Sequence, residues 1–218
     1  MKRLTLFAGH YGSGKTNIAL NYAIAQKTDV LVDLDIVNPY FRTKDSAAYL
    51  AEAGIELVVS DFANSNVDFP ALPSGVYSVT ADRAKTAVFD IGGDDRGALA
   101  LGRYAPQILK EGDYEFFAVV NRSRPLTSTV QDTLEVLHEI ESSSSGLRFT
   151  GIVNNTNLGP DTTAQTILDS QNYAEAVAQE MKLPVAFTCV VDRLMPELTD
   201  KIPNLLPLKL QHLYYQFT

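Results

Sequence analysis

The chain has 218 residues, 45% hydrophobic and 20% charged, with a net charge of −8 and a single cysteine. These values fit one soluble α/β domain over residues 1–218 and argue against nonspecific attraction to nucleic acid or an anionic membrane. One thiol excludes an intrachain disulfide and a cysteine-rich metal site; without an apolar run of spanning length or a secretory pattern at the amino terminus, the sequence reads as cytoplasmic, with no membrane span.

Residues 4–8 read as a buried strand. They run into Gly9-His10-Tyr11-Gly12-Ser13-Gly14-Lys15-Thr16, which fits G-x-x-x-x-G-K-[ST], and then into a helix over residues 17–26 with Ile18, Tyr22 and Ala25 on one face. Glycines at 9, 12 and 14 let the backbone wind around an anion with its N–H groups turned inward. The first helical turn adds unpaired N–H groups and the positive end of its dipole. Gly9, Gly12, Ser13, Gly14, Lys15, Thr16 and Asn17 are therefore the candidate phosphate-binding residues. Lys15 reaches the terminal phosphates, and Thr16 offers a hydroxyl to Mg²⁺.

Residues 30–34 form a second apolar run, leading into Asp33-Leu34-Asp35. Strand alternation points both acids the same way at the carboxyl end, where open α/β sheets bind ligands, so they are candidates to serve Mg²⁺ and an attacking water. The alternative is an Asp that caps a turn. A helix over 43–53 closed by Gly54, a strand-like run over 55–60 and an irregular stretch over 64–75 follow. Residues 86–91 are strand-like and lead into Asp90-Ile91-Gly92-Gly93. There an acid and then glycines match the second Mg²⁺-associated carboxylate of P-loop proteins, with the Gly93 N–H offered to the γ-phosphate; a plain glycine-rich turn is the alternative.

Further on, the pattern predicts a helix over 96–110, a strand over 114–120, and a helix from Ser128 with Gln131 at capping-box spacing. The serines at 142–145 mark no domain boundary. A strand over 149–153, a helical region over 162–182 of open continuity, and a strand over 184–191 follow, the last holding Cys189 as a buried thiol. Beyond Pro196, Leu206, Leu210, Leu213, Tyr214 and Phe217 recur at helical spacing, as in an amphipathic helix docked on its own domain. The alternation of strands and helices implies an α/β fold of three layers, with a mostly parallel central sheet and helices on both faces.

With the P-loop, Asp33-x-Asp35, Asp90-x-x-Gly93, Asn155 and Asp192 in this order, residues 4–192 resemble the MinD/ParA/CobB class of P-loop ATPases, which includes the nitrogenase iron protein and dethiobiotin synthetase. Residues 11–16 and 37–42 look most like small bacterial CobQ/CobB/MinD/ParA nucleotide-binding domain proteins. The resemblance implies a P-loop NTPase fold with ATP and Mg²⁺ as ligands. It implies catalytic roles for Lys15 and Asp35, the latter lining up water, and metal ligation by Thr16, Asp33 and Asp90. It also puts Gly93 in a switch loop and implies base contacts from Asn155 and Asp192.

The chain departs from dimeric members of the class, which carry a lysine just after the first glycine, where this sequence has His10. An activating cation is worth about 10³ to 10⁵ in rate, so hydrolysis by the isolated protein is expected to be slow unless Arg42 or Arg96 substitutes. The first functional reading is a slow, Mg²⁺-dependent ATPase switch acting on an unidentified protein partner, with homodimers possible. The second is an ATP-dependent small-molecule ligase or kinase similar to dethiobiotin synthetase or the cobyrinate amidases, with Tyr40, Arg42 and residues 64–75 beside the terminal phosphate. The third is a nucleotide-binding partner subunit that does not hydrolyse. No N-K-x-D pattern occurs, since Asn121 precedes Arg122-Ser123-Arg124, and the base leans to adenine.

Overall fold

The computed structural model describes residues 2–35, 47–59, 76, 79, 82–93 and 95–210. Its strands are β1 (Leu4–Ala8), β2 (Val30–Leu34), β3 (Glu56–Val58), β4 (Ala87–Ile91), β5 (Tyr114–Val120), β6 (Gly151–Asn154), β7 (Val185–Val191) and β8 (Leu205–Leu208). They form one sheet in the order β3-β2-β4-β1-β5-β6-β7-β8, every neighbouring pair parallel. Parallel neighbours need crossovers, and helices supply most of them: α1 (Lys15–Gln26), α2 (Ala47–Glu52), α3 (Asp95–Gly102), α4 (Ala105–Glu111), α5 (Val130–Ser143), α6 (Ala164–Asp169) and α7 (Gln171–Met181), with a short α8 (Met195–Leu198) before β8.

Period-two alternation splits the apolar side chains of the central strands between two layers. Leu4, Leu6, Val32, Phe89, Phe116 and Val120 face Tyr104, Ile108, Leu137, Ile140 and Val177. Phe7, Leu31, Val88, Phe117 and Val153 face Ile18, Ala19, Tyr22 and Ala23 of α1. The expected three-layer α/β fold is what the chain adopts. Phe7, Phe89 and Phe116 are fully buried, each contributing about 1.5–3 kcal/mol by leaving water.

Several elements differ in detail from the sequence pattern. α1 starts at Lys15, because Gly14 at φ 94° makes the preceding turn, and Ala25 in its last turn is exposed rather than on the core face. The expected helix over 96–110 is two helices, since Pro106 has no N–H to give the carbonyl of Gly102. The region over 162–182 likewise divides at Ser170. The cap of α5 is Thr129, whose hydroxyl accepts from the Asp132 N–H at 3.1 Å, while Ser128 donates to the Pro125 carbonyl instead. The predicted 43–53 helix is seen over its carboxyl half, and residues 64–75, Tyr40, Arg42 and the segment 211–218 lie outside the described residues.

The largest correction concerns Leu206. It belongs to the parallel edge strand β8 and not to a helix. Leu206 and Leu208 alternate inward while Pro207 sits exposed, and an edge strand tolerates the missing proline donor. Asn21 of α1 fixes the end of this strand, accepting from Lys209 N at 2.9 Å and donating to its carbonyl at 3.1 Å.

At the amino-terminal end of the sheet, Arg3 is buried against Glu111 and donates to the carbonyls of Val79, Asp82 and Lys85 at 3.1, 3.2 and 2.7 Å. Arg3→Met leaves the Glu111 carboxylate and these carbonyls without their common partner, and it should cost about 3–5 kcal/mol in a urea titration. A loss below about 1 kcal/mol would mean that this cluster does not hold the edge of the fold. Burial also pushes the Cys189 thiol up, so it should stay protonated at pH 8 or 9 and react with a thiol reagent far more slowly than a free thiol. Labelling of the folded protein at the rate of a free thiol would contradict that burial.

Candidate functional site

β1 lies between β4 and β5, with Phe7 in register with Asp90 on one side and Phe117 on the other. Its carboxyl end opens directly into the glycine loop. A Cβ on Gly9 would sit 2.3 Å from the Val119 carbonyl oxygen, so the loop leaves the sheet pressed against β5. Ser13 N donates to the His10 carbonyl at 3.1 Å, closing a turn, and Gly14 takes the left-handed conformation that lets α1 begin. Lys15 is buried, with Nζ donating to the His10 carbonyl at 3.2 Å across the loop. The Ser13 hydroxyl is buried without a hydrogen-bond partner among the described residues, and Thr16 lies half-buried in the first turn of α1.

The acids converge from the β4 side. Asp33 and Asp90 are register partners on β2 and β4, 3% and 1% exposed, and alternation turns both toward the α1 layer. Asp35 lies just beyond the end of β2. Its N–H donates to Asp33 Oδ1 at 2.9 Å, an Asx-type contact at the end of the strand. The capped-turn alternative therefore describes Asp33, while Asp35 stays close to the loop after β4: a Cβ on Gly92 would stand 3.3 Å from Asp35 Oδ1.

Gly93 joins the two halves. A Cβ there would fall 2.6 Å from Tyr11 Cα and 2.9 Å from Lys15 Nζ, so only glycine lets this loop touch the glycine loop after β1. His10 turns its Nδ1 to the Tyr11 carbonyl at 2.7 Å, which puts the proton on that nitrogen. Arg96 lies in α3, near the Gly92–Gly93 turn in sequence.

On the β5 side of the loop is a cavity of about 520 Å³, a volume suited to a small-molecule ligand. Ile167, Cys189, Val191 and Leu208 give it an apolar floor, and Asn17, Arg124, Asn155 and Asn157 line its polar side with Gly12 and Gly14. Asn155 is buried, its Nδ2 donating to the Ser13 carbonyl at 2.7 Å, so this amide group braces the glycine loop as well as lining the cavity. Asp192 is exposed in the turn after β7, one residue past the Val191 wall. Its neighbour Arg193 fixes the cavity loop by donating to the carbonyls of Pro160 and Thr162 at 2.9 and 2.6 Å.

Arg124, Asn157 and Arg193 carry no motif signal. Only the neighbouring of β1, β5, β6 and β7 brings them to the loop. Among the described residues no group of three His, Cys, Asp or Glu side chains could hold a metal alone, and no helix is long and apolar enough to cross a membrane. Two carboxylates, a threonine and an anion nest suit Mg²⁺, which takes one or two carboxylates together with phosphate oxygens.

No family model matches the sequence, and no curated protein matches it. Solved structures do. The chain is similar to the cell division protein FtsY of Thermotoga maritima, at 15% identity and a TM-score of 0.55 over 86% of this chain and 61% of that one. Chloroplast FtsY from Physcomitrella patens gives 15% identity and a TM-score of 0.54 over 86% and 58%. The signal recognition particle receptor FtsY from Elizabethkingia anophelis in complex with GDP gives 14% and 0.52 over 89% and 58%. The chain thus spans about three fifths of the length of the solved structures it resembles. At these identities the likeness establishes the fold, and the chain has the parallel α/β fold of the P-loop NTPases.

Proposed function

We propose that the protein binds a nucleoside triphosphate with Mg²⁺ and works as a slow, nucleotide-dependent switch acting on a protein partner. The observation that carries this reading is the contact of Gly93 with Tyr11 and Lys15, because a loop touching the phosphate nest has to respond to what fills it. In this reading the N–H groups of residues 12–16 and the Lys15 ammonium bind the phosphates. Thr16, Asp33 and Asp90 would hold Mg²⁺, which when bound neutralises charge on the phosphate oxygens. Asp35, beside Gly92, orients water near the terminal phosphate. The base would enter the cavity at Asn155 and Asn157, on the opposite side of the loop from the acids.

The lining of that cavity favours ATP. The amides of Asn155 and Asn157, each with a donor and an acceptor, suit the adenine edge, whereas the two adjacent donors of guanine would need the carboxylate of Asp192, one residue past the Val191 wall. GTP is the second reading, favoured by the GDP in one of the similar FtsY structures. Calorimetry with Mg²⁺-ATP and Mg²⁺-GTP should give saturable heat that EDTA diminishes and Lys15→Ala abolishes, with ATP binding the tighter. Tighter GTP would transfer the proposal to guanine. Heat from neither nucleotide, or heat that Lys15→Ala leaves unchanged, would overturn it. Asp35→Asn should keep binding and slow phosphate release by about 10²-fold or more, and unchanged turnover would remove Asp35 from the reaction.

A further inference from the structure

We infer that Arg124 is a positioning residue of the phosphate loop, holding the Gly12 carbonyl away from the anion; this rests on the nucleotide-binding reading above. Arg124 follows β5 and donates from Nε to the Gly12 carbonyl at 2.9 Å. Asn155, following β6, does the same for the next carbonyl, that of Ser13. Two consecutive carbonyls of the nest are thus pinned from outside by side chains more than a hundred residues away in sequence.

The consequence follows from peptide geometry. In a planar trans peptide the carbonyl and the next residue's N–H point in opposite directions. Holding the Gly12 oxygen outward turns Ser13 N–H inward, where it closes the turn onto the His10 carbonyl at 3.1 Å. Holding the Ser13 oxygen outward turns the Gly14 N–H toward the concave side. Ser13 N–H still ties the Gly12 peptide to the His10 carbonyl, so loss of the Arg124 bond loosens that peptide rather than freeing it, and a carbonyl that tilts inward presents an oxygen lone pair that repels a polyphosphate. Arg124 is well placed for the task because its own backbone is fixed: Arg124 N donates to the Asn121 carbonyl and the Arg124 carbonyl accepts from Thr127 N, both at 3.1 Å. Gly14 leaves room for the companion brace, since a Cβ there would stand 2.3 Å from Asn155 Nδ2.

The guanidinium also brings a positive charge close to the anion, and the test separates the two effects. Gln Nε2 lies as many bonds from Cα as Arg Nε and can donate to the Gly12 oxygen, so Arg124→Gln keeps the donor and loses the charge. Arg124→Ala and Arg124→Met lose both, and Met keeps the chain length should the alanine variant fold poorly. Mg²⁺-tripolyphosphate, which has no base to fill the cavity, is titrated into the wild type and all three variants. Arg124→Ala and Arg124→Met should bind it about tenfold more weakly than Arg124→Gln, with ligand-free unfolding midpoints unchanged. Equal affinities for Gln, Ala and Met variants would overturn the positioning role. A loss seen with ATP but not with tripolyphosphate would overturn it too, making Arg124 a base contact. A wild type that binds neither ligand would overturn this inference and the nucleotide-binding reading together.

Discussion

The arrangement of the carboxyl edge depends on the position of β1, buried on both faces with β4 on one flank and β5 on the other. Parallel register fixes what stands beside the glycine loop: Asp90 and, one strand further, Asp33 on one flank, and the ends of β5, β6 and β7 on the other. The loop therefore divides a charged side from a cavity side. A phosphate chain bound in it would have its acids and its nucleoside pocket supplied by different halves of the sheet.

That division also explains the distribution of rigid and responsive parts. On the cavity side the loop is pinned through Arg124 and Asn155, and the cavity wall is itself tied down by Arg193. On the acid side the contact is a close approach of Gly93 to the Tyr11 backbone and the Lys15 ammonium. A loop packed this closely against Lys15 has to adjust to whatever anion that ammonium meets. The opposite end of the sheet is anchored by Arg3, so a change at the carboxyl edge need not disturb the packing beneath.

Much of this was legible in the sequence because the buried parallel strands are short apolar runs ending in chemistry-bearing residues: Ala8 before Gly9, Leu34 after Asp33, Ile91 after Asp90. Phase and continuity were less legible. Leu206 and Leu210 fit a helical spacing, but sheet-edge pairing with β7 decides the matter through Leu206 and Leu208. Pro106 breaks a helix that composition alone extends. The braces were invisible for a different reason. Arg124 and Gly12 are separated by 112 residues, and no local pattern encodes a contact made only by the order of strands. The resemblance pointed to Asn155 as a base contact, but nothing in the sequence pointed to its bond with the Ser13 carbonyl.

The account stands on the claim that the glycine loop and the acids of β2 and β4 form one phosphate-and-metal site. The most direct measurement is a crystal structure with Mg²⁺ and a non-hydrolysable nucleoside triphosphate. The account predicts phosphate density against the N–H groups of residues 12–16, a metal bound at Thr16 on the side of Asp33 and Asp90, and the base in the cavity beside Asn155. An empty loop with nucleotide bound elsewhere, or a metal remote from both carboxylates, would contradict it.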